Sequence, residues 1–328
     1  MTDDRANAHL KVTVAALTRK RPEMVRHLLD SWRDMQLPDK CSVSCLIVEN
    51  DDTPVTQGMV EGNAPLHENL PLHYVLEVEA GIPFGRNRAA KEAIAKRSDL
   101  LIFVDDDEIV ARDWLVELIA AYRQSKAVLI GGPLRVKKTD RKLSVLDRLM
   151  DRCIERRYLR KETRAARRAD LSGTPGVTIV TNNWLGETAL FEEHGIWFDE
   201  KMRFTGGTDS KLCAEVKSAG LPTAWAAKAA VYEEIPLERL AVSYQFKRGR
   251  DQSSTNYHRK LEKAPSAKFN VLVSVPIKIV IVAGLLVALP FTGGRTLLDA
   301  VRTSGWIAGR FDALMGRRSD LYKTITGD

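Results

Sequence analysis

The chain predicts an α/β fold, a doubly wound and mostly parallel sheet flanked by helices, with a membrane-associating segment near its C-terminal end. Three observations predict it. Apolar, β-rich runs alternate with amphipathic stretches through the first two-thirds of the sequence, at the spacing of strand–helix–strand units. Polar or charged residues gather directly behind three of the first four runs, as they do where strands open onto a shared cleft. Residues 271–291 are almost wholly apolar and about as long as a bilayer crossing.

Leu10–Leu17 is the first strand, and Pro22, suited to a first helical turn, opens an amphipathic helix that runs to Met35. Ser42–Val48 is a second buried strand leading into Glu49-Asn50-Asp51-Asp52, and Leu72–Val78 is a third. A turn over Gly81–Gly85 introduces a helix over Arg86–Arg97. Leu100–Val104 is then the fourth strand and Trp114–Gln124 another helix. Past the short run Val128–Ile130 the pattern changes. Lys142–Arg168 reads as a long basic helix with an apolar stripe at Leu146, Met150, Cys153 and Ile154, either solvated and packed on the core or facing anionic lipid headgroups or a phosphorylated acceptor. Thr178–Trp184 and Ala224–Tyr232 are later strands, and Gly220 closes a helix over Asp209–Ala219 between them. The apolar run contains Pro276, Lys278 and Pro290 and is flanked by Lys263, Lys268, Arg295 and Arg302. Basic residues at both ends disfavour a simple crossing. A hairpin or an in-plane segment is expected instead, followed by an amphipathic piece over Gly294–Leu314. The alternative is a pair of core helices in a soluble fold. The division that results is a globular domain over residues 8–262 and a membrane-associating region over residues 263–328.

At 328 residues, 44% hydrophobic and 28% charged, the chain can bury a full core. Its net charge of +7 is unevenly spread, since residues 135–170 hold fourteen Lys/Arg against six Asp/Glu. Such a surface attracts polyanions. No zinc-finger spacing, helix-turn-helix pattern or aromatic RNA-binding motif accompanies it, so the expected partners are phosphorylated substrates or anionic lipid rather than nucleic acid. Cys41, Cys45, Cys153 and Cys213 suit neither a disulfide framework nor a zinc site and are expected to be reduced thiols. Met1–His9 lacks an apolar signal core, which favours a cytoplasmic location.

Four consecutive acids, Asp105-Asp106-Asp107-Glu108, stand directly behind the fourth strand. Like charges this close repel and raise one another's pKa unless a cation intervenes. A hard divalent ion is the usual counter-charge, because it takes carboxylate and phosphate oxygens together. Two readings are open: a metal–diphosphate site, or an acidic loop ahead of the helix at Trp114 with Asp113 as N-cap. Asp209, preceded by two glycines, presents a similar choice. It can bring a carboxylate close to a substrate as general base, or cap the helix that follows.

Several stretches resemble, in order, the family 2 inverting glycosyltransferases of GT-A fold, and within them the bacterial exopolysaccharide (succinoglycan-type) subgroup. Val12 to Pro22 is similar to the family's first strand and its Thr-x-x-Arg-Pro turn. Ile47-Val48-Glu49-Asn50 is similar to Val-Asp-Asn, with Glu49 where Asp is usual. Gly81-Ile82-Pro83-Phe84-Gly85-Arg86-Asn87 resembles Gly-x-x-x-Ala-Arg-Asn, and Asp105-Asp106-Asp107 matches Asp-x-Asp. Phe204-Thr205-Gly206-Gly207-Thr208-Asp209 resembles Gly-Gly-Glu-Asp, with Thr208 replacing the Glu. Val231 to Arg239 and Arg248-Gly249 resemble the subgroup's Glu-x-Val-Pro-x-x-Arg and Arg-Gly elements. The resemblance covers about residues 10–255. It implies donor contacts at Thr18, Arg19, Glu49, Arg86, Asn87, Asp105 and Asp106, a Mg²⁺ or Mn²⁺ ion at Asp107, and a catalytic base at Asp209. It further implies a nucleotide sugar, UDP-linked, as donor.

The acceptor would be lipid-linked or a growing surface polysaccharide, reached at the cytoplasmic face of the inner membrane, which accounts for the apolar tail and the basic helix together. Trp184 is either a sugar-stacking platform or a buried strand residue. Glu233 either helps hold the acceptor or the metal or is a surface acid, and Arg248 either reaches the diphosphate of a lipid-linked acceptor or is a solvated basic residue. His194 reads as a loop residue. A sugar nucleotidyltransferase would carry a glycine-rich phosphate loop after its first strand, and Ala16–Arg21 holds no glycine. A non-catalytic membrane scaffold of the same fold has no use for acids at both Asp107 and Asp209.

Overall fold

Along the chain lie β1 (Leu10–Thr18), α1 (Pro22–Asp34), β2 (Cys41–Glu49), α2 (Gln57–Gly62), β3 (Leu72–Leu76), α3 (Ile82–Ala95), β4 (Leu100–Asp105), β5 (Glu108–Val110), α4 (Trp114–Gln124), β6 (Leu129–Gly131) and β7 (Leu134–Val136). They are followed by α5 (Val145–Ser172), β8 (Asn183–Glu187), α6 (Ala189–Glu192), α7 (Thr208–Ser218), β9 (Thr223–Trp225), β10 (Val231–Glu233), α8 (Leu237–Leu240), α9 (Val242–Lys263), α10 (Asn270–Phe291) and α11 (Leu297–Leu314). The computed structural model describes residues 5, 7–138, 141–172, 175, 177–203, 207–263, 266 and 269–317. Phe204, Thr205 and Gly206 of the glycine-rich motif, the flanking Lys268 and residues 318–328 lie outside them.

Seven strands form the main sheet in the order β3-β2-β1-β4-β8-β6-β9. The pairs β1–β2, β1–β4 and β2–β3 are parallel, while β8 is antiparallel to both β4 and β6. Both faces are covered, so the central strands read as continuous apolar runs. Val12, Val14 and Ala16 of β1 join one core with Trp32 of α1 and Trp114 of α4. Ala15 joins the other with Leu46, Val48, Phe103 and Ala89 of α3. The register sets Thr18 opposite Glu49 and Leu17 opposite Asp105, so the polar ends of three strands meet along one edge. A smaller sheet, β5-β10-β7, lies beyond that edge.

Several expectations change. The helix predicted from Arg86 begins at Ile82, because Gly81 takes φ 139° and turns the chain early. Of the strand expected over Thr178–Trp184 only Asn183 and Trp184 lie in β8, which runs on to Glu187, and Ala224–Tyr232 divides into β9 and β10, which join different sheets. Strands β5 and β7 carry too few residues for periodicity to reveal them.

Trp184 is a core residue, not an acceptor platform. It is 1% exposed, with ring centroids 5.4 Å from Phe103 and 6.4 Å from Phe198. Strand β8 lies inside the sheet, so its side chains point into the packed helical layers. Trp184→Ala is expected to destabilise the fold by about 3–5 kcal/mol. Denaturant unfolding measures this, and an unchanged midpoint would refute the packing role.

The C-terminal helices pack unusually closely. A Cβ at Gly305 would lie 2.1 Å from Phe246 O and one at Gly309 2.0 Å from Arg250 O, so the Gly-x-x-x-Gly face of α11 admits the backbone of α9. The apolar run is one unbroken helix, α10, through Pro276, and it contains no hairpin. Its 22 residues span about 33 Å at 1.5 Å per residue, enough to cross a bilayer. Only a narrow stripe is covered: Val271 and Val275 pack near Tyr257 and Ala313, and Lys278 Nζ lies 5.7 Å from the Trp306 ring centroid. Leu272, Val280, Val287 and Phe291 are exposed.

Candidate active site

The acids behind β4 are drawn together by a tight turn. Asp106 and Asp107 form the corner between β4 and β5, and the Asp105 backbone N–H donates to Glu108 Oε2 at 2.9 Å. Asp106 is 5% exposed and accepts from Thr18 Oγ1 at 2.9 Å and Arg21 Nη1 at 3.0 Å. These bonds tie the ends of β1 and β4 together.

Pairing of β10 with β5 sets Glu233 opposite Glu108 and brings a second group of charges to the corner. Arg239 Nη2 lies 3.2 Å from Asp107 Oδ2, and Arg239 Nη1 donates to Glu233. Tyr158 Oη of α5 donates to the other Glu233 oxygen at 2.8 Å. Glu233 is therefore buried in a network, not a solvated surface acid. Arg248 lies within electrostatic reach of Glu233 and Tyr158.

The third component comes from α3 and α7. Asn50 accepts from Gly81 N at 2.8 Å and donates to Glu77 O and Glu79 O, which sets the start of α3. One turn on, Arg86 Nη1 donates to Thr208 Oγ1 at 2.7 Å, and its guanidinium lies 5.4 Å from the Phe198 ring centroid. Gly207, at φ 79°, turns the chain into α7 and places Asp209 in its first turn. Asp209 Oδ1 accepts from Ser210 N at 2.6 Å. Asp105 lies within electrostatic reach of Asp107, Arg86, Asp106 and Asp209. Lys161 of α5 lies within electrostatic reach of Asp209 and Glu108.

Two candidates for donor contact, Glu49 and Asn87, are engaged elsewhere. Glu49 is fully buried and accepts from Thr56 N at 2.9 Å, Thr56 Oγ1 at 2.8 Å and Tyr74 Oη at 2.7 Å, fastening α2 and β3 to β2. Its Oε1 accepts no hydrogen bond. Asn87 is 3% exposed, and both ends of its amide bond the Phe198 backbone, with Nδ2 also reaching Glu200 at 3.0 Å. Arg19 faces Asp51 at 3.6 Å.

The site carries an excess of negative charge. Burial, then Asp107, push the Asp105 carboxyl up to about 7. Burial outweighs the Arg21 guanidinium at Asp106 and holds that carboxyl at about 6. Glu108 is raised by burial and by Asp105 and Asp107. A bound cation would relieve this repulsion. Among the described residues no three carboxylate, imidazole or thiol side chains close around one point. The all-oxygen corner therefore fits an ion shared between Asp107 and substrate oxygens rather than one caged by protein alone.

Of the residues that complete this corner, Arg21 and Arg239 stand inside motif stretches whose family resemblance implies no contact for them. Tyr158 carried no signal, lying on a helix crowded with Lys and Arg.

Residues 10–251 match the family model described as "Glycosyltransferase like family 2". The chain belongs to glycosyltransferase family 2. Among curated members the succinoglycan biosynthesis protein ExoM of Rhizobium meliloti (strain 1021) is 26% identical over 265 residues, 79% of this chain and 78% of that protein. The fold is GT-A. Mannosyltransferase PcManGT from Pyrobaculum calidifontis, solved with GDP-Man and Mn²⁺, superposes with a TM-score of 0.59 at 18% identity, over 95% of this chain and 89% of that one. Residues 1–349 of S. aureus TarS superpose with a TM-score of 0.51 at 14% identity, over 94% and 92%. This family 2 chain is thus a glycosyltransferase whose sheet edge carries a carboxylate-rich corner.

Proposed function

We propose that this family 2 enzyme transfers a sugar, with inversion at the anomeric carbon, from a UDP-linked donor to a hydroxyl of a lipid-linked or growing surface saccharide. One observation carries the reading: Arg86, hydrogen-bonded to Thr208 beside Asp209, lies with Asp107 and Asp209 within electrostatic reach of the half-buried Asp105, although these residues come from distant stretches of chain. Asp209 accepts the acceptor's hydroxyl proton as that oxygen bonds to the anomeric carbon. The bond from this carbon to the donor's phosphate oxygen breaks, and its electron pair leaves on the nucleoside diphosphate. Arg86 neutralises part of that charge, and Thr208 holds its guanidinium in place. Asp107 would hold a Mg²⁺ or Mn²⁺ ion, which when bound would supply further neutralisation of charge on the leaving diphosphate. Arg239 keeps Asp107 and Glu233 oriented beside one another.

The name of the ExoM relative supports a saccharide acceptor, and the nucleotide sugar and Mn²⁺ of the archaeal neighbour support the donor class. Residues 8–262 form the catalytic domain and residues 263–328 the membrane-associating region, working at the cytoplasmic face of the inner membrane. The exposed apolar faces of α10 support that attachment.

A screen of UDP- and GDP-sugars against the detergent-solubilised full chain, with and without Mg²⁺ or Mn²⁺, tests the reading. Metal-dependent release of UDP from one donor is the expected result. Release of nucleoside diphosphate from none of them, in the presence of membrane extract as acceptor source, would remove the proposed activity.

A further inference from the structure

Beyond the carboxylate corner the structure holds a second charged assembly that sugar transfer itself does not use. Helices α5, α9 and α11 converge beside it. Arg160 Nη1 of α5 lies 3.1 Å from Asp299 Oδ2 of α11, and Arg157 Nη1 lies 4.0 Å from the other Asp299 oxygen. A Cβ at Gly249 of α9 would lie 2.5 Å from Arg302 O, so α9 and α11 cross where Arg248 adjoins Arg302. Arg157 of α5 and Arg248 of α9 thus lie within electrostatic reach of Arg302 of α11. Burial, then Arg157 and Arg248, pull the Arg302 guanidinium down to about 9. Asp299 pairs with Arg157 and Arg160, and Glu233 lies within electrostatic reach of Arg248. Tyr158, next to Arg157, leads through Glu233 and Arg239 to Asp107.

An apolar groove of about 580 Å³ borders the same crossing, lined by Val242, Phe246, Leu286, Leu297, Ala300 and Val301. Val301 adjoins Arg302, and Leu286 belongs to the exposed helix α10. The groove lines the α9–α11 crossing that also carries Arg248 and Arg302, and Tyr158, beside Arg157, continues to the carboxylate corner. A matching ligand has a hydrocarbon segment, a phosphate or diphosphate, and a hydroxyl-bearing head in that sequence. Arginine is the side chain best suited to such phosphates, through paired charge-assisted hydrogen bonds.

We infer that the groove and the Arg157–Arg248–Arg302 cluster form a docking site for an amphiphilic acceptor, the groove taking the first part of its hydrocarbon chain and the arginines its phosphate or diphosphate. This deepens the proposed transfer reaction and rests on it in one respect, that the saccharide beyond the phosphate is what Asp209 faces.

Flotation of the full-length protein with vesicles tests it. Three compositions are needed: phosphatidylcholine alone, phosphatidylcholine with phosphatidylglycerol, and phosphatidylcholine with a polyprenyl diphosphate at equal surface charge. The wild type is expected to stay on the polyprenyl diphosphate vesicles at an ionic strength that releases it from phosphatidylglycerol. Arg157→Gln/Arg302→Gln should reduce this preference about tenfold or more, while flotation through α10 and thermal melting stay unchanged. Equal retention on both anionic vesicles would mean a mere surface charge effect and overturn the inference. So would a preference that survives the double substitution. Displacement by inorganic diphosphate at the lipid's own concentration would assign the arginines to a free anion and remove the groove's role. Mn²⁺-dependent binding of UDP by the same preparations separates the two levels. If it persists while the lipid preference is missing, the docking site alone is wrong. If the wild type shows the lipid preference but binds no nucleotide, the transferase reading fails instead.

Discussion

Asp209→Asn lowers the turnover of sugar transfer by about 10²–10⁴-fold, the range general-base catalysis contributes, and leaves donor affinity close to that of the wild type. The amide keeps the shape of the side chain and can still accept from Ser210 N, so α7 starts as before. What disappears is the capacity to take a proton from the acceptor hydroxyl. Because that proton moves only as the reaction proceeds, the loss falls on kcat rather than on KM. Nucleotide binding with Mn²⁺ present, measured by calorimetry, checks that the cleft is intact. A variant with wild-type turnover would leave Asp209 as no more than a residue in a helix's first turn.

Asp107→Asn gives the second large effect, and its signature differs. Arg239 loses one of its two carboxylate partners but keeps Glu233, and Glu233 keeps Tyr158. Removing a like charge beside Asp105 also eases the repulsion that adds to burial in raising that carboxyl to about 7. The fold is therefore expected to melt no earlier than the wild type. Divalent-ion affinity in the presence of nucleotide falls, and kcat/KM drops by about 10²–10³, the scale of losing one preorganised electrostatic contact to a leaving charge. Titration of Mn²⁺ by its paramagnetic signal reads the first effect directly. Unchanged metal affinity in the variant would move the ion away from Asp107.

How much of this could be read in advance depends on the range of the interaction. Strands β1, β2 and β4 were legible because sheets covered on both faces demand continuous apolar runs, and such runs are local facts. The same holds for α10, whose length and lack of charge need no partner to be noticed. Glu49 and Asn87 illustrate the opposite case. Each occupies a motif position, yet Thr56 and Tyr74 surround the one and Phe198 and Glu200 the other. Trp184 had two readings, and the packing of Phe103 and Phe198 around it selects burial.

The order of apolar runs, the acids that follow β4, and the length of the exposed tail helix are properties of the chain read along its backbone. Periodicity and charge are sufficient for them, since each depends on neighbours a few residues away. The corner itself is of another kind. Arg239 meets Asp107 because β10 pairs with β5, and Tyr158 meets Glu233 because α5 lies across that small sheet. Pairings between segments so far apart in sequence follow from how buried surfaces fit together, and only folding brings those partners within hydrogen-bonding distance.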